Sequence, residues 1–316
     1  MQTVDRGRPF PVRYSELTLR AAGAARATDV VYASATYAAA AAASFGARRP
    51  LVAKLVSDPA YERARRWGLF AGTLEEFQHA DGRLLLTLKR ARTWALRRAG
   101  TLVVPSRYLA EIARGWGLED DRLHVVPNPA PPAREATSTE RKGLVFAGRL
   151  TRQKAMHVAL DALAYVPAAR LTVIGDGPDR DRLERHARGA GLNGRVRFVG
   201  SLPRNEVLDA LAGAEATILS SDWENFPHAA VESLAVGTPL VATAVGGVGE
   251  IVVDGVNGLL VPPGSPEAFG HALERLLGSP ELRARLSDGA RASVVELGAD
   301  RIYGRIEQLL EAACRR

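Results

Sequence analysis

From Gly143 onward, short runs of β-branched and apolar residues alternate with longer stretches whose apolar positions recur at helical spacing. The short runs fall at 143–147, 171–174, 196–199, 216–219, 240–243 and 258–261, and each has the length and make-up of a buried strand. Between them, 158–163, 179–190 and 227–235 follow the spacing of a helix. Regular alternation of strand and helix predicts a parallel sheet covered on both faces, with ligands bound beyond the C-terminal ends of its strands. The first half repeats the theme less completely, with strands expected at 29–32, 51–56, 101–104 and 123–126.

Pro127-Asn128-Pro129-Ala130-Pro131-Pro132 and the polar stretch up to Glu140 read as a linker, because proline breaks regular pairing and polar residues offer little to bury. The expected organisation is therefore a first domain over 1–142, a second over 143–298, and a terminal helix over 299–316. That helix has an apolar stripe at Ile302, Ile306, Leu309 and Leu310, so it must dock, and the first domain is the expected surface.

Charge divides the halves further. Met1 to Lys142 holds 23 Lys and Arg against 14 Asp and Glu, whereas Gly143 to Arg316 holds 19 against 21, so the halves carry +9 and −2. A basic first half suits an anionic acceptor or a membrane surface. Its arginines cluster with aromatics in 61–67 and 85–99, two basic amphipathic patterns of the kind that dock on anionic lipid; a solvated helix face is the plainer reading of both. No nucleic-acid module accompanies the charge. Cys314 is the only cysteine, which excludes an internal disulfide or a cysteine-built metal site. The sequence has no secretory pattern at its start and no apolar run of about 18 residues, so a cytoplasmic protein is expected, with peripheral contact on the inner face of the membrane through the basic half.

The densest chemical signal is Trp223-Glu224-Asn225-Phe226-Pro227-His228, continuing through Glu232 to Thr243 and Gly246-Gly247. A strand ends, a loop places Glu224, and a helix begins with Pro227 in its first turn, where a missing N–H costs nothing. Glu232 follows about a turn and a half into that helix. The helix start, positive by its dipole, suits an anionic or hydroxyl-rich ligand. The plainer alternatives are helix-start charges for the two glutamates, a surface ion pair for Arg149 and Lys154, a simple turn at Gly246-Gly247, and a bystander role for His228.

This stretch resembles the retaining glycosyltransferases of family 4, whose GT-B architecture faces two Rossmann-like, doubly wound α/β domains; the spacing of Glu224 and Glu232 is similar to that family's EX7E motif. Gly148-Arg149-Leu150 with Lys154, Val173 to Pro178, Phe198-Val199-Gly200, and Gly246 through Gly255 add to the resemblance in the family's order. It covers 143–316 and, more weakly, the chain back to about Asp29.

The resemblance implies that Arg149 and Lys154 hold the diphosphate of a nucleotide sugar, that Glu232 holds the ribose, and that Glu224 faces the transferred sugar. It gives sugar hydroxyls to the amides of Asn225 and Phe226 beside Pro227, close approach to Gly175 and Gly200, and the base to Phe198 and Val199. No metal and no other cofactor is expected; the nucleotide diphosphate sugar is the donor substrate and a hydroxyl group, polysaccharide, lipid-linked or on a small glycoside, is the acceptor.

The chain departs from the family pattern in two places. No glycine-rich loop precedes Asp29, so the first domain is expected to be reduced, and Ser57-Asp58 stands where many relatives carry His-Asp. A non-catalytic nucleotide-sugar binder, a truncated inactive member, or another chemistry on the same fold, such as phosphorolysis or epimerisation, stand as alternatives to a glycosyltransferase of the cell envelope.

Overall fold

The computed structural model describes residues 10–132 and 141–315. The chain forms two compact units: Met1–Pro127 with Ile302–Arg316, and Asn128–Arg301. The polar stretch 133–140, read as linker, lies outside the described residues. Asn128 and Ala130 belong to the second unit: Asn128 is buried, and the Ala130 amide donates to the Leu297 carbonyl at 2.7 Å.

The first unit holds a four-stranded parallel sheet of β1 (Val31–Ala33), β2 (Leu51–Lys54), β3 (Thr101–Val104) and β4 (Leu123–Val125), paired in that order. Val52 registers with Thr101 and Leu102 with Leu123. The central strand β3 is buried throughout, as expected for a sheet covered on both faces. Leu51, Ala53, Leu102 and Val104 pack with Leu96, Leu109 and Trp116 to form its core.

Helix starts in this unit are written in the sequence. Ser106 accepts from the Leu109 amide, and Thr73 with Glu76 forms a capping box. Asp58 accepts from the amides of Ala60 and Tyr61 at the head of the helix Pro59–Arg66, with proline in the first position. The same carboxylate, fully buried, meets Arg92 Nη1 at 2.6 Å and Gln78 Nε2 at 3.2 Å. Arg92 in turn lies 3.8 Å from the centre of the Trp116 ring. The helix Phe10–Ala25 was not expected; its apolar positions are too irregular for periodicity to show it. The terminal helix, Ala299–Cys314, buries Ile302, Ile306 and Ala313, while Leu309 and Leu310 are half-buried. From Ile302 on, it belongs to the first unit.

The second unit holds six parallel strands: β5 (Leu144–Ala147), β6 (Leu171–Ile174), β7 (Val196–Gly200), β8 (Ala216–Leu219), β9 (Leu240–Thr243) and β10 (Gly258–Val261). Their order across the sheet is β10-β9-β8-β5-β6-β7. The chain leaves β5 toward one edge and, after β7, returns to β8 and runs to the other. That reversal is the switch point of a doubly wound fold, and it opens a crevice between β5 and β8 at their C-terminal ends. One face of the sheet packs Leu144, Phe146, Val173 and Ile218 against the helices Met156–Ala162 and Pro266–Gly278. The expected strands all lie where the apolar runs placed them, within a residue or two at their ends.

The Asp58–Arg92 pair is buried on both sides, at 0% and 5% side-chain exposure. Removing one partner leaves the other charged and dehydrated, a defect of about 3–5 kcal/mol. Arg92→Met should lower unfolding stability by about that amount in urea titration, and adding Asp58→Asn should recover part of the loss.

Candidate functional site

The loops that leave β5 and β8 flank the switch point. The first runs through Gly148 and Arg149 to a short 3-10 turn, Arg152–Lys154; the second is Ser220 to Pro227. Lys154 Nζ forms a direct ion pair with the Glu224 carboxylate, the two side chains being 18% and 8% exposed. Ser221 Oγ donates to the same carboxylate at 2.7 Å. The sequence-expected cation and carboxylate, 70 residues apart, are thus brought together.

The backbone of both loops is tied down as well. The Asp222 amide donates to Gln153 O at 2.8 Å, Gln153 Nε2 donates to Trp223 O at 3.0 Å, and Ser220 Oγ donates to Lys154 O at 3.0 Å. Thr243 Oγ1, at the end of β9, donates to Ser221 O at 2.6 Å. The Gly247 amide donates to Glu224 O at 2.9 Å, so the Gly246-Gly247 pair, which opens the 3-10 segment Gly246–Glu250, buttresses the loop. Asn128 Nδ2 donates to Phe226 O at 2.9 Å from 98 residues away. A loop held at so many carbonyls presents its side chains in fixed positions, which is the condition for a preorganised site.

Asn225, Phe226 and Pro227 are buried on this loop. Pro227 is the residue just before the helix His228–Ala235 rather than within its first turn, at φ −69° and ψ 123°, and no side chain caps that helix. His228 is exposed. Glu232, the fifth residue of the helix, points to Arg204 at 3.3 Å. Burial raises the Glu232 pKa above the usual carboxylate value, and the neighbouring Arg204 opposes that shift only in part. Arg149 is exposed at the end of the β5 turn.

Gly175 follows β6 at φ +127°; a Cβ there would lie 1.9 Å from Gly148 O, and one on Gly177 would lie 2.2 Å from Leu150 O. The demand for glycine at 175 therefore comes from the neighbouring backbone, which it lets the β5 turn approach. Its amide donates to Gly200 O at 2.8 Å. Phe198 and Val199 sit half-buried on β7, the edge strand two places from β5.

Sequence reasoning did not single out Ser221, Gln153, Arg204, Thr243 or Asn128 as site residues. Ser221 stands three residues before Glu224 and was visible locally. Asn128 and Arg204 act across the fold and leave no local signal. Asp58, matched to the family's acidic position, is the helix cap and ion-pair partner described above. Among the described residues no three His, Cys, Asp or Glu side chains gather closely enough to hold a metal, and no helix is long and apolar enough to cross a membrane.

The first unit carries a cavity of about 640 Å³ that includes the residues following β1 and β2, among them Ser34, Thr36, Tyr37, Ser57, Glu62 and Arg63. Thr36 sits at φ +50° and ψ 40°, a left-handed conformation that is costly for a β-branched residue.

The raised Glu232 pKa has a definite stability consequence. A carboxyl whose folded pKa lies above its unfolded value binds more protons when folded, so its contribution is present at low pH and lost as pH rises through the folded pKa. Glu232→Gln should therefore gain stability relative to the parent near pH 7, and the gain should vanish below the ordinary carboxylate range, as read by thermal melts across pH.

Family models match nearly the whole chain: residues 130–293 match "Glycosyl transferases group 1", and residues 3–129 match a "Glycosyl transferase 4-like domain". Among curated proteins, D-inositol 3-phosphate glycosyltransferase of Xylanimonas cellulosilytica is 36% identical over 63% of this chain and 54% of its own length. Glycogen synthase of Mycobacterium tuberculosis is 31% identical over 73% of this chain and 56% of its own. The chain thus spans about half the length of these curated relatives. Among solved structures, Anabaena HepE in complex with UDP-glucose superimposes at a TM-score of 0.79 with 23% identity, covering 93% of this chain and 82% of that one. That likeness supports the two-domain parallel α/β fold, and on the strength of the sequence matches the chain belongs to the glycosyl transferases group 1 family.

Proposed function

We propose that this protein is a retaining glycosyltransferase that moves a sugar from a nucleotide diphosphate sugar to a hydroxyl acceptor. The observation that carries the reading is the Lys154–Glu224 pair, held at the switch point of the second unit beside an exposed arginine and an uncapped helix start. A doubly wound sheet binds its ligand there. Glycosyltransferase names among the relatives, and UDP-glucose in the HepE complex, add support.

In this reading Arg149 and Lys154 hold the donor diphosphate. As the bond between the anomeric carbon and the diphosphate oxygen breaks, charge builds on that oxygen, and fixed cations and helix-end amides compensate it without reorganising. No metal enters this proposal. The incoming hydroxyl forms its bond on the same face, and its proton passes to the departing phosphate oxygen. Glu224 accepts from hydroxyls of the transferred sugar while holding Lys154 in place. Glu232 accepts from the ribose diol, with the amides of Asn225 and Phe226 nearby and the base toward Phe198 and Val199. The Glu224–Glu232 spacing plays the part of the EX7E motif.

The first-unit cavity near the C-terminal ends of β1 and β2 is the acceptor side. Arg63 and Arg66 in its lining favour an anionic or lipid-linked acceptor presented at a membrane surface.

Calorimetric titration with UDP, GDP and their sugar conjugates tests the reading. Arg149→Ala and Glu232→Ala should each weaken donor binding about 10- to 100-fold, the worth of one charge-assisted hydrogen bond. Lys154→Ala should reduce nucleotide release in the presence of acceptor more than it reduces binding. Donor binding without release under any acceptor would convert the reading to a nucleotide-sugar binder, and unchanged binding in both alanine variants would refute the site.

A further inference from the structure

A second cavity in the first unit, of about 830 Å³, lies among the helices Leu74–His79, Arg83–Leu96 and Arg107–Arg114. Five cationic side chains, Lys89, Arg90, Arg92, Arg97 and Arg98, line it, and no Asp or Glu does. Two of the five are committed to nearby backbone. Lys89 Nζ donates to the carbonyls of Gln78 and Ala80 at 3.0 and 2.6 Å, and Arg97 donates to Gly117 O at 3.4 Å. Arg92 pairs through Nη1 with Asp58, but its Nε is buried without a hydrogen-bond partner. A buried guanidinium with one unsatisfied N–H is an unmet demand for an acceptor.

The walls are aromatic. Trp116 lies against Arg92 and donates through Nε1 to Gln78 Oε1 at 2.7 Å, which fixes both planes. Trp94 is 52% exposed, and the Arg98 guanidinium sits 5.1 Å from its ring centre and 5.7 Å from that of Phe45. Arg98 also borders an adjoining cavity lined by Arg48 and Arg49, so the positive surface continues beyond the pocket. Burial lowers the Lys89 pKa and repulsion from Arg92 adds to the shift, while Asp81 and Asp58 oppose it.

Arginine forks match the oxygens of phosphate in a bidentate manner, and indole faces accept apolar or planar groups. We propose that this cavity binds a phosphate-bearing organic molecule, its anionic group held by the exposed Arg90 and Arg98 with the buried Arg92 behind them, and its apolar part resting on Trp94. Arg92 lines the cavity assigned above to the acceptor as well, but the proposal does not depend on the glycosyl-transfer reading.

The test uses the full chain carrying Arg149→Ala, so that the other candidate phosphate site is weakened, with and without Arg90→Ala/Arg98→Ala. Arg90 and Arg98 are exposed, and circular dichroism melts should show both proteins equally folded. Inorganic pyrophosphate is titrated with tryptophan fluorescence as the readout, and vesicles of phosphatidylcholine with and without phosphatidylglycerol are tested by co-sedimentation. The expected result is saturable binding that weakens at least tenfold in the double variant and falls with salt. Saturation by pyrophosphate marks a soluble phosphate ester, and retention on phosphatidylglycerol vesicles alone marks a lipid headgroup. Absence of binding to both probes, or equal affinity in the double variant, would overturn the proposal.

Discussion

The reversal of strand order between β5 and β8 is the constraint from which the rest of the second unit follows. Adjacent parallel strands whose crossovers leave in opposite directions open a crevice at their C-terminal ends, because no helix covers the gap between them. The loops that border it are necessarily the one carrying Arg149 and Lys154 and the one carrying Glu224. Neither loop could reach the other if the strands were separated, and the ion pair between Lys154 and Glu224 exists because the sheet makes β5 and β8 neighbours.

A mostly buried ion pair is weak evidence of stabilisation, since dehydration of both charges offsets most of their attraction. What it gives is position. Glu224 is held by Lys154 and by Ser221 Oγ, and its own carbonyl accepts from Gly247, so side chain and backbone are fixed from different directions. Gly175 serves the same end by a steric route: its missing Cβ lets the turn after β5 lie against the end of β6, which sets where Arg149 emerges. Charge, hydroxyl and absent side chain all constrain one loop pair, and such redundancy holds the pair in one arrangement.

The fold was largely legible in the sequence, because buried parallel strands are nearly continuous apolar runs and most have Gly, Pro or Ser at an end. Runs such as 216–219 and 240–243 needed only to be read. The helix Phe10–Ala25 was not legible, since its apolar face is diluted by alanine and arginine. At the site, Glu224, Glu232 and Lys154 stood out through spacing and resemblance, whereas Arg204 and Asn128 did not. Their roles arise where distant segments meet, and a residue type alone does not say which carbonyl or carboxylate it will face. Gly175 was visible, but the reason for it lies in a backbone contact that arises only in the fold.

The same limitation applies to arginine in the first unit. By sequence, the basic segments 61–67 and 85–99 are uniform amphipathic patterns in which nothing sets one arginine apart from the next. In the fold they separate by function: Arg92 turns inward to neutralise the helix-capping Asp58, Arg65 donates to Tyr61 Oη at 3.1 Å, and Arg98 stays exposed over two aromatic rings. The Asp58–Arg92 pair ties the start of the helix Pro59–Arg66 to the helix Arg83–Leu96. Arg90 and Arg98 are left with charge that no carboxylate lining their cavity balances. Uncompensated charge at a surface is stable only because water solvates it, so an anion that displaces that water with better-placed oxygens has an electrostatic reason to bind.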